Sequence, residues 1–268
     1  MYTKEGKKLR ELMQKDAETL LGTVLDIGEA MLICGGEVSR VEDTMRRICE
    51  SYGAERVNPF VITSSIVITL QLSDGGAVTQ TRRINRSATD FTRLEELNEL
   101  SRYLCGSKPP VWEIAAIYKE RVQMRDTHRT QKMLLGYLIA SCACAIFFGG
   151  NVWDGCAAAL IAVAIWFLDF SFRKWIPSQM LYLLFAAFIM GTLAMSFRFT
   201  GLPFHADKIM IGDIMLLIPG LLMTNAVRDV FSGDTISGML RLCESLLMAG
   251  MIAAGTVGAI LLMGGLAG

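Results

Sequence analysis

The sequence predicts a membrane protein in which an N-terminal α+β domain, residues 1–132, precedes a bundle of five transmembrane helices, residues 133–268. Of the 268 residues, 52% are hydrophobic and the mean hydropathy is +0.41, which is more apolar than an ordinary soluble domain. The charges are uneven, because 20 of the 26 Lys and Arg and 19 of the 26 Asp and Glu lie in residues 1–132. The rest of the chain holds five apolar segments long enough to cross a membrane.

The first part of the N-terminal domain is predicted to be helical. Residues 9–33 carry apolar side chains at the spacing of an amphipathic helix, and Gly35-Gly36 ends it. Ser39 and Glu42 then have the spacing of a capping box, which predicts the start of a second helix. One face of that helix holds the apolar residues Val41, Met45, Ile48 and Tyr52.

An alternating pattern follows and predicts strands. Residues 60–72 alternate with a period of two, Asp74-Gly75-Gly76 fits a hairpin turn, and residues 78–84 can return as a strand. Pro109-Pro110 is predicted to open a last helix. The helix before it is indicated by Leu94, Leu97, Leu100 and Leu104. The predicted order is therefore two helices, about three strands and two helices.

The five apolar segments are each long enough to be a membrane helix, which needs about 20 residues. They are residues 133–150, 152–170, 175–197, 209–226 and 239–266. The fourth is interrupted by Pro219-Gly220, because proline removes a backbone donor and glycine gives the helix no side-chain support. Polar and charged residues crowd the region after this break: Thr224, Asn225, Arg228, Asp229, Asp234, Ser237, Arg241 and Glu244. A plain membrane anchor does not need them.

The predicted orientation follows from the basic loops. The first residues are charged and no signal-peptide apolar region follows them, so the N-terminal domain is expected to stay in the cytoplasm. The short loop at residues 171–174 is basic and is then also inside, as the positive-inside rule requires. An odd number of spans leaves the C-terminus outside.

Several function classes are disfavoured. The net charge of zero gives no reason to expect a nucleic-acid partner. The seven cysteines show no paired spacing and only His128 and His205 could join them, so no metal site or cofactor is expected. No nucleophile–base pair or phosphate loop is visible, which argues against an enzyme. The charges of the second helix, Glu37, Arg40, Glu42 and Asp43, are expected to form the solvated face of a capped helix. The basic run of Arg82, Arg83 and Arg86 is expected to lie beside the membrane.

The last span carries small residues at four-residue spacing, Gly250, Ala254 and Gly258. Such a face allows close contact between helices in lipid. Two interpretations remain open, namely packing within this chain and a surface for a partner subunit.

Three stretches of the sequence resemble a known family. LIPGLLMTNAVRDVFSGDTISGMLRL resembles the signature of the threonine/serine exporter family, and GGEVSRVEDTMRRICESYGAERV with INRSATDFTRLEELNEL resembles its N-terminal domain. The resemblance covers nearly the whole chain from about Leu20. Full-length members resemble this chain followed by a second block of membrane helices, so the chain is most similar to the large subunit of the split form.

The resemblance implies a subunit of a secondary active exporter in the bacterial plasma (inner) membrane. Its expected substrates are threonine and serine or a dicarboxylate such as succinate, with proton coupling. A small membrane subunit of the same family is the expected partner, and a homo-oligomer is the alternative.

The resemblance also directs attention to the residues around the broken span. Arg228 and Arg241 are candidates for binding a carboxylate, because the guanidinium offers a bidentate donor pair. Asn225, Thr224 and Ser237 can hydrogen-bond an amino or hydroxyl group, and helix ends at Pro219-Gly220 add backbone dipoles. The full substrate-binding set is Pro219, Gly220, Thr224, Asn225, Arg228, Asp229, Asp234, Ser237 and Arg241. The expected proton carriers are Asp213 and Glu244, with Asp229 as a further possibility.

Two alternatives compete with this hypothesis. Each of these charges at a helix end could be an ordinary interfacial ion pair or a snorkelling side chain. The chain could also be a membrane-anchored sensor or scaffold whose soluble domain binds a ligand, although one or two plain spans would suffice for that. Asp154, Asp169 and Asp207 are expected to be simple boundary charges.

Overall fold

A computed structural model describes residues 4–71, 76–85, 88–123, 129–172, 175–176 and 178–267. The chain forms two compact units. The first unit joins Met1–Arg125 to Leu221–Leu242, and the second joins Asp126–Gly220 to Cys243–Gly268. Some predicted features fall outside the described residues: Leu72, the turn at Asp74-Gly75, Arg86, His128, Arg173 and Lys174.

The first unit contains helices and one small sheet. Its elements are α1 (Lys4–Ile33), α2 (Val38–Ser51), β1 (Arg56–Ile62), β2 (Ser65–Gln71), β3 (Ala77–Arg83), α3 (Phe91–Ser107) and α4 (Val111–Gln123). It also includes most of α9 (Gly220–Phe231) and the beginning of α10 (Thr235–Ala267). The predicted order of helices and strands in residues 1–123 is confirmed.

The start of α2 differs from the predicted capping box. Glu37, not Ser39, occupies the N-cap position, and its side chain makes no capping hydrogen bond. Ser39 lies within the helix. The carboxylate of Glu42 instead accepts a hydrogen bond from the Val61 backbone N–H, 2.9 Å away. Burial raises the pKa of Glu42, and the bond from Val61 opposes that rise. Glu42 therefore joins α2 to the sheet and does not belong to a solvated face.

The three strands form an antiparallel sheet in the order β1-β2-β3. The alternating residues 60–72 are divided between two strands, because Ile62 pairs with Ser65 across a two-residue turn. The turn also changes the buried positions. Val57 and Val61 face the core in β1, whereas the buried residues of β2 are Ile66, Ile68 and Leu70. Apolar side chains occupy both faces near the turn, so alternation alone could not reveal it.

The core of the first unit lies where α1, α2, α3 and the sheet meet. The predicted apolar face of α2 is confirmed, since Val41, Met45 and Ile48 are all fully buried. Tyr52 is half-buried and donates its hydroxyl hydrogen to the Pro109 carbonyl, 2.9 Å away. The fully buried side chains of α3 are those of the predicted leucine face: Leu97, Leu100 and Leu104.

The second unit is built from apolar helices. Its elements are α5 (Arg129–Phe147), α6 (Val152–Ser171), α7 (Gln179–Ser196), a 3-10 turn (Phe197–Thr200), α8 (Ala206–Leu217) and the greater part of α10. Four helices of the described chain, α5, α6, α7 and α10, are long and apolar enough to cross a membrane, and the number becomes five if the bent pair α8–α9 is one span. Many large apolar side chains on these helices are exposed, as a lipid-facing surface requires: Ile139, Leu160, Phe167, Phe185 and Leu261.

The fourth predicted span, residues 209–226, is two helices. Helix α8 ends at Leu217 and α9 begins at Gly220. Ile218 is extended, with ψ of 129°, because the ring of a following proline disfavours the helical conformation. Each helix has 12 residues and therefore extends only about 18 Å, less than the roughly 30 Å of a hydrocarbon core. The predicted break at Pro219-Gly220 is thus present, but neither piece crosses a membrane alone.

Small residues let α10 pack closely on α7, at Gly255 and Ala259 beside the predicted face and, less tightly, at Gly258 of that face, where an added Cβ would lie 3.5 Å from Phe188 Cδ2. A Cβ added to Gly255 would lie 2.4 Å from the Leu184 carbonyl oxygen, and one added to Gly191 would lie 2.8 Å from the Ala259 Cβ. Gly250, in contrast, has open space within 4 Å of such a Cβ. The face used within this unit therefore includes Gly258 together with the residues beside the predicted face, whereas Gly250 is not part of it.

Candidate functional site

The polar residues after the helix break lie together on one face of α9. Asn225, Arg228 and Asp229 are three and four residues apart, the spacing that brings helical side chains side by side. The first unit therefore carries an amide, a guanidinium and a carboxylate in one row. Arg241, near the start of α10, adds a second guanidinium.

The partner of this row is the turn between α1 and α2. The Asn225 side-chain amide donates to the Gly35 carbonyl, 3.0 Å away. The Arg241 Nη2 donates to the Gly36 carbonyl, also 3.0 Å away. The Arg228 Nη1 donates to the Glu37 carboxylate in a direct ion pair. We call these residues, together with Asp229, the turn cluster.

Gly35 and Gly36 allow the turn to expose its backbone carbonyl groups to Asn225 and Arg241. Gly35 has a φ of +91°, which an L-residue with a side chain rarely adopts. A Cβ on Gly36 would lie 2.8 Å from the Met31 carbonyl oxygen. The chain therefore reverses tightly after α1 and leaves successive carbonyl groups available to α9 and α10.

Asp229 and Arg241 form a buried ion pair. Arg241 Nη1 lies 3.1 Å from Asp229 Oδ2, and the side chains are only 6% and 1% exposed. Neither Asp229 oxygen has a well-directed hydrogen bond from the described residues, so the contact is mainly electrostatic. Removing one partner of such a pair leaves an uncompensated buried charge and typically costs about 3–5 kcal/mol. This pair is therefore a structural contact.

Arg228 is in a different environment from Arg241. Its side chain is 55% exposed, whereas that of Glu37 is only 16% exposed. The carboxylate is that of Glu37, in the packed turn between α1 and α2, and the Arg228 guanidinium contacts it from an exposed position on α9. Of the two predicted carboxylate-binding arginines, Arg228 is the one with surface left for another anion.

The ends of α9 and α10 approach closely in the first unit. A Cβ on Gly238 would lie 2.8 Å from the Ala226 carbonyl oxygen and 2.4 Å from the Val230 Cγ2. Asp234 lies in the intervening turn, where its N–H donates to the Asp229 carbonyl, 2.9 Å away. Ser237 is buried beside Gly238. Asp234 and Ser237 therefore lie in the α9–α10 corner of this unit.

The other predicted site residues are distributed differently. Thr224 is exposed on α9, in the first unit. Pro219 and Gly220 form the break itself, and Asp213 and Glu244 belong to the second unit. The turn cluster therefore gathers Asn225, Arg228, Asp229 and Arg241 from the predicted set, and adds Gly35, Gly36 and Glu37.

Of the two predicted proton carriers in the second unit, Asp213 is more buried than Glu244. It lies on α8 with a fully buried side chain, and the Ser141 hydroxyl of α5 donates to its Oδ1 at 2.6 Å. The other oxygen, Oδ2, has no hydrogen-bond partner among the described residues. The neighbouring Gly212 lets the helices meet, since a Cβ there would lie 2.8 Å from the Ser141 carbonyl oxygen. Glu244 is only half-buried.

Asp154 was expected to be a boundary charge, and the structure corrects this. Its side chain is fully buried at the start of α6, where it forms a capping box with Asn151. It also accepts hydrogen bonds from the His205 backbone N–H at 2.8 Å and faces His205 Nδ1 at 2.9 Å. The N-x-x-D spacing of Asn151 and Asp154 was the available signal for the cap, whereas His205 is 51 residues away in sequence.

No three His, Cys, Asp or Glu side chains converge in a geometry that could hold a metal ion within the ranges that the structure describes. The described residues of the site supply charged and polar side chains. A guanidinium that already binds a carboxylate can bind an anion, and a buried carboxylate can accept or release a proton.

Comparisons of the sequence with known proteins identify its relatives. The threonine/serine exporter family model matches residues 22–263. The chain is 24% identical over 246 residues to "Probable succinate transporter subunit YjjP" of Escherichia coli K12, covering 90% of this chain and 93% of that protein. The protein of the same name from Klebsiella aerogenes is 22% identical over 210 residues, or 77% of this chain and 80% of that protein.

A third relative is longer. The "Threonine/serine exporter" of Corynebacterium glutamicum is 25% identical over 238 residues, which are 85% of this chain but only 48% of that protein. No solved structure matches the chain. Because the family model covers nearly the whole sequence, including both units and the turn cluster, the chain belongs to the threonine/serine exporter family, a family of transporters and not of enzymes.

Proposed function

We propose that the chain is the large subunit of a secondary active exporter that moves small carboxylate metabolites out of a bacterial cell. The substrate is threonine and serine or a dicarboxylate such as succinate, and export is coupled to protons. The N-terminal domain, residues 1–132, lies in the cytoplasm and the C-terminus lies outside the inner membrane. The names of the relatives support this class of substrate.

The observation that carries the proposal is the pair of Arg228 and Glu37. A half-exposed guanidinium already holds a carboxylate in this structure. The substrate would present the same chemical group, and Arg binds carboxylates with two parallel hydrogen bonds. Arg228 also follows the α8–α9 break, and interrupted helices commonly form the substrate sites of secondary transporters.

Glu37 then acts as an internal competitor for the substrate. Glu37 contacts the Nη1 nitrogen of Arg228, so a substrate carboxylate that bound Nη1 and Nη2 together would displace it. Release of Glu37 would free both Arg228 and the turn after α1. Asn225 and Thr224, on the same helix, are the proposed partners of an amino or hydroxyl group. Pro219, Gly220, Asp229, Asp234, Ser237 and Arg241 support these residues by fixing the helix ends.

The role of Arg228 predicts a loss of export. Replacing Arg228 by Gln removes the charge, and replacing it by Lys removes the bidentate geometry. A charge-assisted hydrogen bond contributes about 1.5–3 kcal/mol, so the apparent affinity should fall roughly tenfold or more. Efflux of threonine, serine and succinate is measured in cells at matched membrane abundance. The exposed Arg56 offers a control, Arg56→Gln. Unchanged efflux with Arg228→Gln would refute the assignment.

The proposed proton carrier is Asp213, with Glu244 as the second candidate. Burying an ionised carboxylate without full compensation is costly, whereas the neutral acid is tolerated. Asp213 is buried and receives one hydrogen bond, from Ser141, which leaves its second oxygen available for a proton. Carboxylates in such positions mark proton relays in transporters. Glu244 is less enclosed, so Asp213 is preferred.

This preference predicts a change in pH dependence. Asp213→Asn should abolish the dependence of export on the proton gradient and leave substrate binding measurable, because the amide cannot carry the proton. Glu244→Gln should retain the dependence. Ser141→Ala serves as a matched variant, since it keeps the carboxylate but removes its donor, and it should shift the pH profile without abolishing it. If both Asp213→Asn and Glu244→Gln leave the profile unchanged, another group carries the proton.

The partner is proposed to be a small membrane subunit of the same family. Two relatives are named as transporter subunits, and the chain spans about half of the Corynebacterium glutamicum exporter. A second block of five spans joined after a C-terminus outside the cell would run in the opposite direction, as in transporters with inverted repeats. The open face at Gly250 and Ala254 of α10 is the proposed contact surface.

Reconstitution tests this subunit proposal directly. The chain is purified with and without the small membrane protein, and uptake of labelled succinate, threonine and serine into vesicles of matched protein content is measured. We expect transport only from the pair. Full transport by the chain alone would instead establish a homo-oligomer or a complete monomer. No transport of any of the three substrates by the pair would contradict the exporter function itself.

A further inference from the structure

A cleft on the first unit is not used by the proposed transport function. It lies between α2 and α3 and has a volume of about 540 Å³. Three arginines line it, Arg40 and Arg47 from α2 and Arg102 from α3. Cavities of a few hundred cubic ångströms are typical of sites for small molecules. The charged face that the sequence predicted on α2 is therefore one wall of a concavity.

The charges in this cleft are not balanced. Arg47 is paired with Asp43 at 2.9 Å. Arg40 and Arg102 have no ion-pair partner among the residues that the structure describes. The lining therefore holds three guanidinium groups and one carboxylate, and two of the guanidinium groups are free to bind an anion.

The spacing of the arginines limits the ligand. Arg40 and Arg47 are seven residues apart on one helix, which places their backbones about 10 Å apart. Long arginine side chains can converge on one anion from that distance, but three guanidinium groups around a cleft of about 540 Å³ favour a molecule with two or more anionic groups, which can contact several of them at once. Thr44 and Asn98 add neutral hydrogen-bonding groups to the lining. Arginine is well suited to both carboxylates and phosphates.

We propose that this cleft is a binding site for a small metabolite that carries at least two carboxylate or phosphate groups. The site differs from the Arg228 contact, because no residue of the turn cluster lines it. It is nevertheless connected to that cluster along the chain. Helix α2 begins directly after Glu37, so a ligand held by Arg40 and Arg102 contacts the same helix whose N-cap residue pairs with Arg228.

The test uses the full chain in detergent at constant low ionic strength, because salt screens such contacts. Sodium pyrophosphate and sodium citrate are titrated in separate calorimetric experiments, as probes of phosphate and carboxylate binding. The variant Arg40→Ala/Arg102→Ala is compared with Arg56→Ala/Arg83→Ala, which removes the same charge from exposed positions of the sheet. We expect saturable 1:1 binding of at least one probe.

The cleft variant should bind that probe at least about tenfold more weakly, and the sheet variant should stay within about twofold of the unaltered chain. Binding of pyrophosphate alone or citrate alone identifies the anionic group, and either result supports the site. Absence of saturable binding of both probes, or equal weakening by both double variants, overturns the proposal. If the cleft variant does not fold, Asn98→Asp places a negative charge in the cleft without removing an arginine, and unchanged binding by that variant overturns it as well.

Discussion

The buried contact between Asp229 and Arg241 is the interaction on which the arrangement of the turn cluster depends. Arg241 reaches two acceptors at once, the Asp229 carboxylate at 3.1 Å and the Gly36 carbonyl at 3.0 Å. It therefore ties α10 both to α9 and to the turn after α1. With α9 held in this way, Asn225 meets the Gly35 carbonyl and Arg228 meets Glu37. The exposed contact thus depends on the buried one.

Arg228 and Arg241 look equivalent in sequence, but their environments differ. Both follow the helix break, and both are chemically able to bind a carboxylate. Arg241 is 6% exposed and is paired with Asp229, whereas Arg228 is 55% exposed and is paired with Glu37, whose side chain is 16% exposed. A buried pair resists exchange because separating it leaves a charge in an apolar environment. A pair with one well-exposed member is partly hydrated, so we expect the Arg228–Glu37 pair to exchange more readily than the buried pair.

Sequence patterns predicted the elements of the fold because these depend on local spacing. The apolar faces of α2 and α3 and the break at Pro219 follow from periodicity and from proline chemistry. The hairpin at residues 63–64 was missed because apolar side chains continue on both faces through the turn. The partner of Arg228 could not be predicted at all, since Glu37 is 191 residues away. Glu37 itself carried no signal beyond its place in a charged helix start.

The buried Asp154 illustrates the same limit. Its spacing from Asn151 indicated a cap, but only the folded chain brings His205 to the same carboxylate. The break in the fourth span was likewise visible in sequence, whereas its division into two short helices was not. The features of the candidate site that the sequence did not predict are therefore mostly contacts between residues far apart in the chain.

The central claim is that Glu37 and the substrate compete for Arg228, and the variant Glu37→Gln tests it most directly. The measurement is the half-saturating substrate concentration for export by the chain with its small partner subunit. Exposed ion pairs contribute about 0.2–1 kcal/mol, so loss of the competitor should lower that concentration by up to about fivefold. Glu50→Gln, at an exposed position of α2, should leave it unchanged. An unchanged or higher half-saturating concentration with Glu37→Gln would contradict the account.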